Sequence, residues 1–227
     1  MKYAVIPTRG MSPTLRQQLL MLHESDIVPI IIPVDPDYDA GDAIYIERTA
    51  KTFGGWINQG LEYAVRTDPH PRVVVLNDDL LVDPKTLEPM YEELRASVVV
   101  GLSGWEKTVT PSPLRGHLFG INPNYVIMPE VEGLALWWWN TDDLYHQTEY
   151  SGFKVSFVSG VEYSHTSDNE RPDGSWRYPR EFEWSVQADH DYFWRRWHHL
   201  DPAHAGCYLS WWPDALPAGQ IHRTDWS

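Results

Sequence analysis

The sequence predicts an α/β protein with a central, mostly parallel mixed sheet flanked by helices, and three observations carry that expectation. Short β-branched runs alternate with amphipathic helical runs through residues 1–101, which is the pattern of βαβ units. Two of the strand runs, Ile27 to Val34 and Arg72 to Leu76, are apolar almost throughout, as strands covered on both faces must be. The helical runs open on cap-and-proline signals that separate them from the strands.

Taken in order, Tyr3 to Ile6 reads as the first strand. Ser12 then offers an N-cap, Pro13 suits the first turn, and Leu15, Leu19 and Leu22 recur at helical spacing. Ile27 to Val34 is the second strand, ending at Asp35 in a polar loop, and Ala43 to Ile46 is a short third. From Gly54 a helix sets Ile57, Leu61, Ala64 and Val65 on one face and Asn58, Gln59 and Glu62 off it. The strand Arg72 to Leu76 stops at Asn77-Asp78-Asp79. After Leu80 to Val82, Asp83-Pro84 opens a helix that Pro89 delays until Glu88. Val98 to Gly101 is a further strand.

Beyond that point glycine, proline and aromatic residues are frequent and the alternation weakens. Thr141 caps a helix from Asp142 to Tyr150, stopped by Gly152. Lys154 to Val158 and Val161 to Tyr163 read as a hairpin about Ser159-Gly160, leading to His165. Asp168 to Tyr178 is a polar loop, and a last helix spans Glu181 to His198.

Composition narrows the function classes. The 227 residues hold 18 Lys and Arg against 32 Asp and Glu, a formal charge of −14, so no basic surplus is available to displace counterions from a nucleic acid. One cysteine, Cys207, excludes an internal disulfide and points to a reducing compartment. The longest apolar stretch is broken by Pro29 and Pro33 and is too short to span a bilayer. With no signal-peptide pattern after Lys2, the expectation is a cytoplasmic, soluble protein without membrane insertion. Twelve Trp residues exceed what a core of this size needs and suggest stacking surfaces.

The sharpest chemical feature is the pair Asp78-Asp79 at the end of a buried strand. Ligands of open α/β sheets bind at the carboxyl ends of strands. Adjacent acids there suit a hard cation, Mg²⁺ or Mn²⁺, that itself holds a diphosphate. The plainer alternative is a strand-exit turn, which also favours Asn and Asp.

The wider run favours the cation reading. Phe53-Gly54-Gly55-Trp56-Ile57-Asn58-Gln59-Gly60, then Val73 to Leu76, Asn77-Asp78-Asp79 and Val82-Asp83-Pro84, resembles the nucleotide-sugar half of the family 2 glycosyltransferases. Val5-Ile6-Pro7-Thr8-Arg9 and the strand ending in Val34-Asp35 are similar to the family's start, and the likeness is nearest to its rhamnosyltransferase-like branch. The resemblance implies a GT-A fold over residues 1–199, with a nucleotide-sugar half at 1–101 and an acceptor half at 102–199. Residues 200–227 would form a tail packed on it.

It also implies roles. Thr8, Arg9, Asp35, Gly55, Asn58, Asn77 and Asp78 become candidates for the nucleotide-sugar, of the UDP or dTDP type. Asn77 stands where the family's first Asp is usual, which makes Asp79 the principal metal ligand. His165, just beyond a strand, matches a family metal ligand and tilts the cation toward Mn²⁺. Asn140-Thr141-Asp142-Asp143-Leu144 aligns with the family's base segment, with Thr141 at the usual base position, so the base is Asp142 or Asp143, with a slight preference for Asp142. Trp137, Trp138 and Trp139, directly before it, cannot all face one side if extended, so at least one reaches the cleft as a sugar platform, with Trp105 a second acceptor-side candidate. The activity implied is a metal-dependent inverting transfer from a nucleoside-diphosphate sugar to a hydroxyl on a glycan, protein or modified nucleobase. A non-catalytic nucleotide-sugar or glycan-binding module, or a nucleotidyltransferase, would use the same fold.

Overall fold

A seven-stranded mixed sheet forms the centre of the molecule, seen in a computed structural model that describes residues 1–8, 12–33, 41–104, 113–129, 140–165, 189, 191–193 and 195–197. In chain order the elements are β1 (Lys2–Thr8), α1 (Pro13–His23), β2 (Ile27–Pro33), β3 (Ile44–Tyr45), α2 (Phe53–Thr67), β4 (Arg72–Leu76) and β5 (Leu80–Val82). A 3₁₀ turn at Pro84–Leu87 leads into α3 (Glu88–Glu93), followed by β6 (Val99–Leu102), β7 (Leu118–Ile121), α4 (Asn140–Tyr150), β8 (Val155–Val158) and β9 (Tyr163–His165). The large sheet runs β3-β2-β1-β4-β7-β6-β8, and β5 pairs with β9 in a separate two-stranded sheet.

β1 lies parallel between β2 and β4, with Val5 opposite both Ile30 and Val75. Alternation along it feeds two cores. Tyr3 and Val5 join Ile57, Leu61, Phe119 and Leu144 on one face, while Ala4 and Ile6 join Leu15, Leu22, Met90 and Tyr91 on the other. At Gly60 a Cβ would fall 2.8 Å from Val5 Cγ1, so glycine lets α2 lie directly on β1.

The local signals are realised. Ser12 Oγ accepts from the Leu15 N–H at 3.0 Å with Pro13 opening α1. Thr52 Oγ1 accepts from the Gly55 N–H at 2.9 Å and caps α2. Gly152 adopts φ +76° after α4 and its N–H donates to the Glu149 carbonyl, the left-handed stop that glycine tolerates.

Three expectations need correction. Thr141 is not the cap of α4, because the helix already includes Asn140. Lys154 to Val158 and Val161 to Tyr163 do not pair as a hairpin. β8 instead runs parallel to β6, with Gly101 opposite Phe157, and β9 pairs antiparallel with β5. β6 and β5 each offer a ladder, and the chain between β8 and β9 turns through Gly160 (φ +81°). β7, unforeseen in the sequence, inserts antiparallel between β4 and β6 and makes the sheet mixed. Among the described residues no helix is long and apolar enough to cross a membrane.

Candidate active site

The parallel strands β1 and β2 end level at Thr8 and Pro33, and β4 ends at Leu76, just past Val75 opposite Val5, toward the same edge. The turn after β4 is fastened to this edge from two sides. The buried Thr8 Oγ1 donates to Asp78 Oδ2 at 2.8 Å, and the Asn77 N–H donates to the His117 carbonyl at 3.0 Å. Because β7 is antiparallel to β4, with Leu118 opposite Leu76, the residues just before β7 arrive at the same edge.

Pairing of β5 with β9 sets Leu80 opposite His165. Asp79, one residue before β5, therefore meets His165, with Nε2 to Oδ2 at 3.0 Å and the two side chains 26% and 17% exposed. The contact with Asp79 holds the His165 imidazole above its ordinary range, against the opposing effect of burial. His117 stacks on the His165 ring, centroids 5.2 Å apart at 21°. Burial first, then the charges of His165 and Arg115, push the His117 imidazole down to about 4, so it is neutral at pH 7.

Asp79 and His165 form a mixed oxygen and nitrogen donor set, the type that Mn²⁺ accepts readily. Among the described residues no group of three or more His, Cys, Asp and Glu side chains could enclose an ion. Two protein donors at an open strand edge suit a cation whose other ligands are phosphate oxygens and water. The donor chemistry fits a divalent ion shared with a diphosphate.

The first turn of α4 borders this edge. A Cβ on Gly116, the neighbour of His117, would lie 3.4 Å from Thr141 Oγ1. The two acids of that turn differ. Asp143 is buried, its Oδ2 at 3.0 Å from Arg196 Nη1 and its Oδ1 accepting from the Trp197 indole N–H. Burial pushes its carboxyl up, against the opposing pull of Arg196 and Trp197. His146, also on α4, packs against the Phe193 and Trp197 rings at 5.8 and 5.5 Å. Asp143 is thus committed to holding the segment around residues 191–197, whereas Asp142 is half-buried.

Of the other sequence candidates, Gly55 sits in the capped first turn of α2. Asn58 clamps the chain before α4: its Nδ2 donates to the Met128 carbonyl at 3.0 Å and its Oδ1 accepts from the Met128 N–H at 2.8 Å. Arg9, Asp35, Trp105, Trp137, Trp138 and Trp139 lie outside the described residues.

Three residues at this edge were missed from sequence: Arg115, His117 and Tyr163, whose hydroxyl is 3.3 Å from His117 Nε2. A polar Arg115-Gly116-His117 triplet directly before the apolar run Leu118 to Ile121 was the available signal. It is legible only once β7 is recognised as a strand.

No protein-family model matches the chain, and no curated protein matches it. Among solved structures, A197 from STIV is similar over 79% of this chain and 96% of that one, with a TM-score of 0.44 and 11% identity. The glycosyltransferase GlyE of Streptococcus pneumoniae TIGR4 is similar over 67% of this chain at a TM-score of 0.38 and 15% identity, and this chain spans only 40% of its length. The 2-C-methyl-D-erythritol 4-phosphate cytidylyltransferase of Francisella tularensis is similar over 83% of this chain and all of that one, at a TM-score of 0.43 and 10% identity. Likeness at these levels carries no argument about chemistry, which has to come from this chain's own side chains.

Proposed function

We propose that this chain is a metal-dependent, inverting glycosyltransferase acting on a nucleoside-diphosphate sugar of the UDP or dTDP type and a hydroxyl acceptor. The observation that carries the reading is the Asp79 and His165 contact at the carboxyl end of the parallel strands, beside the helix that bears Asp142. The family 2 resemblance of residues 53–84, nearest to the rhamnosyltransferase-like branch, supports it.

In this reading Asp79 and His165 hold Mn²⁺ or Mg²⁺, which when bound neutralises charge on the departing diphosphate. Thr8 and Asp78 fix the strand-end turn, and Arg9, Asp35, Gly55 and Asn77 contribute to the nucleotide-sugar side. Asp142 takes the proton of the acceptor hydroxyl. The hydroxyl oxygen bonds to the anomeric carbon as the carbon–oxygen bond to the diphosphate breaks. The nucleoside diphosphate leaves with that electron pair, and the configuration inverts. Trp105 and Trp137 to Trp139 are proposed for the acceptor, a glycan, protein or modified nucleobase.

A thermal-shift series with UDP, dTDP and their sugars, with and without Mn²⁺, tests the reading, since a ligand at 100 times its Kd adds about 2.7 kcal/mol of stability. Stabilisation that needs Mn²⁺, disappears with EDTA and is absent in Asp79→Asn is the expected result. Indifference to every nucleoside diphosphate in the presence of Mn²⁺ would overturn it. The commitment of Asp143 to Arg196 leaves Asp142 as the remaining acid of that turn, which also fits a binding module. Nucleotide binding without donor hydrolysis or transfer to any acceptor class would favour the module.

A further inference from the structure

We infer that His117 is a positioning residue that holds the His165 ring toward Asp79, an inference that rests on reading His165 as a metal ligand. His117 is linked to both segments that carry the pair. Its carbonyl accepts from the Asn77 N–H, two residues before Asp79. Its ring stacks on His165 at 5.2 Å and 21°. Its Nε2 lies 3.3 Å from the hydroxyl of Tyr163, which is two residues before His165 on β9 and so on the same face of that strand. Leu118, the next residue, is locked opposite Leu76 in the main sheet.

His165 needs such support. It is the last residue of a three-residue strand in a two-stranded sheet, an element with little stability of its own. An imidazole there has rotamers that would turn Nε2 away from Asp79. The stacked ring of His117, anchored in the seven-stranded sheet, excludes part of that range, and the Tyr163 contact ties the strand itself to the same anchor. Groups that orient a ligating histidine are worth about 10–100-fold in metal affinity when removed.

The experiment compares the full chain with His117→Ala, His117→Phe and Tyr163→Phe, measuring Mn²⁺ affinity by calorimetry, melting temperature without metal, and the His165 ring signals by NMR without metal. His117→Ala is expected to weaken Mn²⁺ binding about 10–100-fold and to replace one His165 ring conformer by averaged signals. His117→Phe, which keeps a stacked ring, should recover most of both, and Tyr163→Phe should fall between. A purely structural His117 would lower the melting temperature while leaving the His165 signals in one conformer, and that result overturns the inference. If His117→Ala does not fold, His165 signals and Mn²⁺ affinity both unchanged in Tyr163→Phe overturn it equally. Absence of Mn²⁺ binding in the parent, with the His165 ring still released by His117→Ala, overturns the metal reading and leaves the positioning role standing.

Discussion

At the end of β4, Asp79 meets an imidazole at 3.0 Å with 17% of its side chain exposed. Within α4, Asp143 meets a guanidinium at the same distance with 1% exposed. Asp79 faces the imidazole with which, in the proposed reading, it would share a cation. Asp143 faces Arg196 and Trp197, which keep both of its oxygens engaged inside the protein. Two carboxylates that look alike in the sequence therefore differ in what they can still do, and burial with saturated partners marks the one that builds the fold. Asp142, adjacent to Asp143, is half-buried rather than buried.

The largest effect should come from Asp142→Asn, which removes the proposed base. Turnover is expected to fall about 10²–10⁴-fold with the melting temperature little changed, checked by donor-dependent transfer kinetics. Full turnover would make Asp142 a bystander and break the contrast between the two acids. Asp143→Ala should act in the opposite way. Removing one member of a buried pair costs about 3–5 kcal/mol, so denaturant unfolding should show a loss of that order whether or not ligand is present. Gly60→Ala tests the support of the site rather than the site, because a methyl group there drives α2 off Val5. A loss of about 1–3 kcal/mol is expected from such overpacking, with Mn²⁺ affinity retained in the folded fraction.

The smallest effect concerns a third carboxylate, Glu93, away from the edge. Lys154 first, then Ser97 and Ser156, hold its carboxyl down to about 2 from an ordinary 4.5. The folded state then binds fewer protons than the unfolded chain between these values, so this contribution is present above about pH 4.5 and disappears as pH falls toward 2. Glu93→Gln should narrow the difference in stability from the parent over that window, as seen in urea melts at successive pH values. An unchanged difference would show that the partners confer nothing on the charged form.

Much of the N-terminal scaffold was legible because its signals are local. Ser12 with Pro13, the apolar runs of β2 and β4, and the face of α2 each declare themselves within about two turns of helix or one strand, where capping, periodicity and backbone stiffness act. Asp78 and Asp79 were legible for the same reason, as polar residues that end an apolar run. Asn58 was placed on its helix, but the bonds of its amide to the Met128 backbone were not visible.

Everything that turns those residues into a site depends on contacts between distant segments. Whether Val155 to Val158 pairs with Tyr163 or with β6 is decided by which unfilled ladder and apolar face the rest of the fold presents, a competition with no local signature. The pairing of β9 with β5 then delivers His165 to Asp79. The antiparallel entry of β7 delivers His117, and the approach of Arg196 and Trp197 separates Asp143 from Asp142. Propensity and pattern are properties of neighbours along the chain, and they set strands, helices and turn acids. Burial, charge pairing and ring stacking arise between elements, so the different partners of those acids had to come from the packed structure.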